Sequence, residues 1–356
     1  MVTAGRRELT ALRLSAQAIG GESLLDSPGA VVHHLLALQA QDYPGALWSI
    51  ALRCGATLTD VERAIADKQI VRSWPMRGTL HFVPAEDLAW MLRISASRQA
   101  TWSASRRSAL GITDHDLDRA REIATQLASG GLVRRDTLLA GFEAGGISTQ
   151  AQRGYHLIWN LAHDELLAHG PVDGTQPTFA LLDEWVPSPR RLEGDEALGE
   201  FAARYFGGHG PATERDFAWW ASLTLRDART GIAIAAPEKR EIDGVVYFSS
   251  PNVLPARNAV HALPGFDEFM LGYQDRSAAL PARFANRIVP GNNGVFLPTI
   301  VTNGQVVGTW RRTSRAKSTV IDVTAFEHLS ASARGGVERA MQRYARFLNT
   351  EVVVRG

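Results

Sequence analysis

Cysteine occurs once in this chain of 356 residues, at Cys54, and lysine only at Lys68, Lys239 and Lys317. A single thiol excludes an intrachain disulfide and argues against a cysteine-held metal. No run approaches the ~20 apolar residues of a membrane span. The opening Met1-Val2-Thr3-Ala4-Gly5-Arg6-Arg7 is not followed by the apolar core of a signal peptide. The expectation is a cytoplasmic protein without a membrane partner. The histidines show no zinc-ligand spacing, neither at His33-His34 nor at His163-Asp164-Glu165 with His169, so no metal is expected. The glycine pairs match no phosphate-binding loop, and no cofactor is expected.

What is present is ordinary for a folded chain, 45% hydrophobic and 21% charged, and long enough for two or three domains. A net charge of +1 excludes a polycation, yet the positive charge is nearly all arginine. Arginine presents a fork matched to phosphate oxygens. Codon bias in a GC-rich genome accounts for most of that total, so clustering is more informative. Arg106-Arg107, Arg134-Arg135, Arg190-Arg191, and Arg311-Arg312 with Arg315 and Lys317 could make separate phosphate contacts along a duplex.

In chain order, apolar periodicity predicts helices over residues 8–20, from Pro28 to about Gln39 and over 61–69, with a further apolar segment over 45–53. Residues 70–83, β-branched and aromatic with Gly78 in the middle, predict a two-strand hairpin. Helices at 114–128, 136–143 and 150–164 precede strands at 165–170 and 178–185. Helices at 196–206, after Thr213 and at 223–234 precede a hairpin around Asp243-Gly244. Helices followed by a hairpin make a winged helix, and the pattern occurs three times. Strands are expected at 260–264, 295–297, 299–301, 306–310 and 320–323, forming a small curved sheet or partial barrel, before a closing helix over 333–349. The fold class is therefore α+β: three tandem winged-helix subdomains (1–110, 111–190 and 191–252), then a β-rich region with a C-terminal helix (253–356).

One stretch stands apart: Ala37-Leu38-Gln39-Ala40-Gln41-Asp42-Tyr43-Pro44. Ser27-Pro28 opens its helix and Pro44-Gly45 stops it. Gln39 is expected in the last turn, with Gln41 beyond it. Positions i and i+2 point the same way only in extended chain, so unwinding at Gln41 would let two neutral amides converge. Such a pair can hold a water and offer dipoles to developing positive charge. The bland alternative is two solvated glutamines at a frayed helix end.

Three further stretches join it: Trp74-Pro75-Met76-Arg77-Gly78-Thr79-Leu80-His81, Leu263-Pro264-Gly265-Phe266-Asp267-Glu268-Phe269-Met270-Leu271-Gly272-Tyr273-Gln274-Asp275-Arg276, and Asn303-Gly304-Gln305-Val306-Val307-Gly308-Thr309-Trp310-Arg311-Arg312. Together with the three helix–hairpin units they resemble the AlkZ-type (azinomycin-resistance) winged-helix DNA glycosylases over nearly the whole chain. The resemblance implies a C-shaped, monomeric protein that holds double-stranded DNA on a basic concave face. It also implies a catalytic glutamine–apolar–glutamine motif, here Gln39-Ala40-Gln41; a related branch has Asp in place of the second glutamine. The activity implied is hydrolysis of the N-glycosidic bond of N7-alkylguanine, bulky or crosslinked adducts included, without a cofactor. Arg77, Arg311, Arg312, Arg315 and Lys317 become candidates for DNA contact. His81 and Asp267 become candidates for active-site support, with core packing as the other reading of His81. Asp267, Glu268 and Asp275 form a second acidic constellation that could supply a base, with helix capping or pairing with neighbours such as Arg276 as the other reading. Trp219-Trp220 reads as core rather than as a base-stacking platform. Lys68 is the nearest lysine to the motif, which disfavours a Schiff-base lyase. A transcriptional regulator that only binds DNA explains the winged helices equally well but leaves the paired glutamines unexplained.

Overall fold

The computed structural model describes residues 3–20, 24–314 and 319–356. The chain forms two compact units, residues 62–197 and residues 1–61 with 198–356.

In the first of these, helices Leu88–Leu110, Asp114–Ala128, Arg135–Ala144 and Arg153–His163 accompany five hydrogen-bonded strands. Their order is Thr79–Pro84, Ile70–Met76, Leu167–His169, Thr178–Leu181, Val133–Arg134. Thr113 starts its helix as expected: its side chain accepts from the Asp116 N–H while the Asp116 carboxylate accepts from the Thr113 N–H, a reciprocal cap. Trp74, Phe142, Leu157, Trp159 and Phe179 form the centre of the core. The expected hairpin at 70–83 is present, its turn made by Arg77 at φ 57° and Gly78 at φ 65°. The 23-residue helix Leu88–Leu110 was not expected. Its first turn and a half, Leu88 to Leu92, is buried all round, and farther along Ser95, Gln99 and Ser103 are the buried groups. No apolar stripe of period 3.6 therefore marks it.

The other unit carries a five-stranded sheet in the order Val352–Arg355, Thr319–Ala325, Gln305–Ser314, Thr299–Thr302, Val260–Leu263. It is antiparallel except for its first pair, which is parallel. The partial barrel is thus an open sheet with two edges. Residues 295–297 do not join it; the Leu297 N–H bonds instead to the Ile288 carbonyl at 3.0 Å. The strand at 352–355, missed in the sequence, follows helix Ala331–Leu348. That helix packs against Val260–Leu263 and against helix Tyr43–Cys54. Trp48, Trp310, Tyr344 and Phe347 cluster at this contact. The two indoles donate to the Ala262 and Leu263 carbonyls at 2.9 and 2.8 Å, which fixes the strand leading into Asp267-Glu268. The remaining hairpin pairs Glu238–Ile242 with Val245–Ser249 through Asp243 and Gly244, both at positive φ.

Candidate active site

The first turn of helix Pro28–Leu35 is built as its sequence dictates, with the Ser27 hydroxyl accepting from the Ala30 N–H at 3.1 Å. Its end is not where periodicity places it. The helix stops at Leu35, and Leu36 adopts φ 63°, ψ −43° while the Ala37 N–H bonds back to the Leu35 carbonyl at 2.7 Å. This is a tight three-residue turn of the rare, strained kind. Such backbone costs of order 1–3 kcal/mol and persists only where its surroundings over-determine it. They do so here: Leu36 is fully buried, the His34 ring bonds the Ala16 carbonyl at 2.6 Å, and Arg204 donates to the His33 carbonyl. Burial accordingly holds the His34 pKa below the ordinary histidine value.

Beyond the turn the chain is extended. Gln39 therefore lies in the short strand Leu38–Gln39, not in a helical turn, and Asp42 already precedes helix Tyr43–Cys54. Leu38 and Ala40 are buried, Gln39 is half-buried and Gln41 is exposed. That alternation is the period of two of extended chain, which puts both amides on the side away from the core. The Gln39 side-chain Oε1 is buried and accepts no hydrogen bond among the described residues. A buried acceptor left unpaired costs about 1–3 kcal/mol.

The backbone of Gln39 is held from below. Its N–H donates to Glu268 Oε1 at 3.0 Å, and Glu268 Oε2 accepts from Trp220 Nε1 at 2.8 Å and lies 3.3 Å from His209 Nε2. Glu268, Trp220 and His209 have no measurable exposure. Tyr205 stacks on the His209 ring, centroids 4.9 Å apart and planes within 12°. Its hydroxyl donates to the Gly272 carbonyl, and that of Tyr273 to the His209 carbonyl. Gly272 has no room for a side chain, since a Cβ would stand 2.7 Å from the Glu268 carbonyl and 2.8 Å from the His209 ring.

Asp267 is saturated. Its oxygens accept from both Arg53 Nη atoms at 2.9 and 3.0 Å, from the Ser49 hydroxyl at 2.7 Å and from the Phe269 N–H at 3.0 Å. A carboxylate so engaged fixes the short helix Glu268–Leu271; it does not offer a lone pair to a reacting water. His81 belongs to the 62–197 unit, where it is fully buried. Its Nε2 meets Arg77 at 2.9 Å and its Nδ1 the Thr79 carbonyl at 2.8 Å. Of the expected site residues, then, the structure brings together Gln39, Gln41 and, one residue away through Glu268, Asp267. Sequence reasoning set Glu268 aside with Asp267 and Asp275 as a capping or pairing group and did not single out His209. Only the run Gly265-Phe266-Asp267-Glu268-Phe269 pointed toward them.

A family model of AlkZ-like DNA glycosylases matches residues 32–347. The chain belongs to this family. It is a DNA N-glycosylase, and the alternative of a regulator without catalytic activity falls away. One relative, an interstrand DNA cross-link repair glycosylase of Streptomyces sahachiroi, is 28% identical over 306 residues, covering 80% of this chain and 82% of its own. The solved structure of the Streptomyces sahachiroi DNA glycosylase AlkZ aligns over 100% of both chains with a TM-score of 0.81 at 24% identity; the mixed helix–sheet fold is shared.

The cationic candidates differ from one another. Arg77 stands at the tip of its hairpin but turns back to His81. Arg311 projects from strand Gln305–Ser314 with 80% of its side chain exposed, 3.8 Å from Asp322. Arg312, on the opposite face, is exposed and donates to the Tyr344 hydroxyl at 3.1 Å. Arg315 and Lys317 lie outside the described residues. Trp220 is core, as expected, and Trp219 carries the Arg276 guanidinium 5.2 Å from its ring centroid.

Proposed function

We propose that this glycosylase removes N7-alkylated guanine from duplex DNA, with Gln39 and Gln41 as its catalytic residues. The single observation that carries the reading is the pair of neutral amides two residues apart, Gln39 on its short strand with an unpaired side-chain oxygen and Gln41 exposed just past the strand. Guanine alkylated at N7 is already cationic, so its glycosidic bond is weak and the base departs neutral. What remains to be supplied is a positioned water and dipoles for the oxocarbenium-like sugar. An amide oxygen does both without introducing a full charge that would need shielding. Gln39 Oε1 orients the water, and the exposed Gln41 stabilises positive charge on the sugar.

The helix–hairpin segments act as three winged helices that bind the duplex, and the cations Arg311, Arg312, Arg315 and Lys317, together with Arg77, contact DNA phosphates. The enzyme works as a monomer in the cytoplasm, on the nucleoid. Because Gln41 is at the surface and Gln39 only half covered, the damaged base need not enter a closed pocket, and an adduct tethered to the opposite strand is within scope. A relative that repairs interstrand cross-links supports this breadth. Discrimination then follows bond lability. Excision from matched duplexes carrying N7-methylguanine, a bulkier N7 adduct, or uracil tests it. Both cationic lesions should be released and uracil retained; efficient uracil release, or rejection of the bulky adduct beside rapid N7-methylguanine release, contradicts the proposal.

A further inference from the structure

We infer that Glu268 is the positioning residue of the catalytic strand, and that its task requires a carboxylate rather than any hydrogen-bonding side chain. The inference rests on the proposed role of Gln39. Glu268 touches no reacting atom; it acts through the Gln39 backbone. Its surroundings offer donors on both sides: the Gln39 N–H reaches Oε1 at 3.0 Å, and the Trp220 indole N–H reaches Oε2 at 2.8 Å with His209 Nε2 at 3.3 Å. A carboxylate accepts at both oxygens. An amide of the same shape accepts at one and must point its NH2 group at a donor on the other. Buried as it is, that donor–donor contact cannot be relieved by water.

The geometry also explains why so much structure converges on one side chain. Asp267, locked to Arg53 and Ser49, caps the turn from which Glu268 projects. The stacked Tyr205 and His209 rings close the far side. Upstream of Gln39 the chain has just passed the strained turn at Leu36. A strand leaving such a turn needs an anchor on its first residue that is not fully buried, and the Gln39 N–H is where the anchor is attached. Misplacing a catalytic group by about 1 Å costs on the order of 100-fold in rate.

The test is a double-mutant cycle on the full chain, using single-turnover excision of N7-methylguanine at saturating enzyme, with duplex Kd measured separately. Glu268→Gln should slow excision by about 10- to 100-fold with Kd unchanged, because no phosphate contact is altered. In the Trp220→Phe background the indole N–H is gone, and the His209 ring with its proton on Nδ1 can accept from the amide NH2 at Nε2. The amide can then face Gln39 correctly, and the same substitution should cost only a few-fold. Amide hydrogen exchange at Gln39 should rise in Glu268→Gln and fall back in the double variant. If Glu268→Gln does not accumulate as folded protein, Glu268→Asp, one methylene too short to serve both donors, takes its place and should likewise slow excision without weakening binding. Equal cost of the substitution in both backgrounds, an equal loss of Kd and rate, or parent rate in the folded variant overturns the assignment. Gln39→Ala is run beside them. If it abolishes excision while Glu268→Gln is silent, the positioning role alone fails; if Gln39→Ala is fully active, the catalytic reading and the positioning role fall together.

Discussion

The segment bearing Gln39 and Gln41 and the layer directly beneath it are opposites. Above are two neutral amides, one half-buried and one exposed. Below are Glu268, Asp267, Arg53, Gln17 and His209, each at most 2% exposed. The difference assigns two tasks. Fixed charge is useful where it holds backbone, since a buried bidentate pair has one geometry. At the proposed reacting surface a fixed negative charge would bind the cationic lesion before its bond breaks as well as the oxocarbenium-like sugar in the transition state, and binding the two alike gains nothing in rate. These buried ions lie one layer back, and the residues proposed to do the chemistry are neutral dipoles.

If that division is right, breaking the buried ion pair of the lower layer should register as stability, and damage to the upper layer, or to Glu268 that positions it, as rate. The largest stability effect is expected for Arg53→Ala, which leaves Asp267 buried without its cation and removes donors to the Gln17 and Ser49 oxygens. A loss of about 3–5 kcal/mol is expected in denaturant unfolding; a loss below 1 kcal/mol would mean the pair is not load-carrying. A smaller effect should follow acidification. Burial pushes the His261 pKa down from 6.5 to about 4. The unfolded chain therefore takes up a proton between those values that the folded one refuses. The resulting stability is fully present above pH 6.5 and is lost as pH falls toward 4, by order 2–3 kcal/mol. His261→Phe should flatten that part of the pH–stability curve, and an unchanged curve would remove His261 from the account. The smallest effect is expected on the hairpin surface. Arg311→Ala and Arg312→Ala should leave the melting temperature within about a degree and lower the salt slope of duplex binding by about 1 each. A salt slope identical to the parent's would mean that neither touches a phosphate.

Much of this could be read from residues alone, for reasons that can be named. Thr113, Thr213 and Ser27 announce helix starts because a cap is a local bond between a side chain and a backbone group two or three residues on. The hairpins at 70–84 and 238–249 are announced by β-branched runs around Arg77-Gly78 and Asp243-Gly244. What could not be read depends on contacts distant in sequence. Val31, Val32, Leu35, Leu36 and Leu38 look like one helix through Gln39, yet the helix breaks at Leu36. Ala16, which the His34 ring bonds, Arg204 and Glu268 hold the extended alternative from elsewhere in the chain. Glu268 looked like a helix cap beside Asp267; only the fold shows that Asp267 does the capping and Glu268 faces Gln39. The strand Val352–Arg355 needs its parallel partner Thr319–Ala325, and helix Leu88–Leu110 shows no apolar face because it is buried all round over Leu88–Leu92 and beyond that buries the polar Ser95, Gln99 and Ser103.

The central claim is that two neutral amides carry the chemistry while the duplex is held by other residues. It is tested most directly by single-turnover release of N7-methylguanine from Gln39→Ala and Gln41→Ala, with duplex Kd measured on the same preparations. Each substitution should slow release by about 100-fold, the scale of losing one oriented dipole at a developing charge, and leave Kd within a factor of about two, since neither residue neutralises a phosphate. Parent rates in both variants, or losses of rate matched by equal losses of affinity, would contradict it.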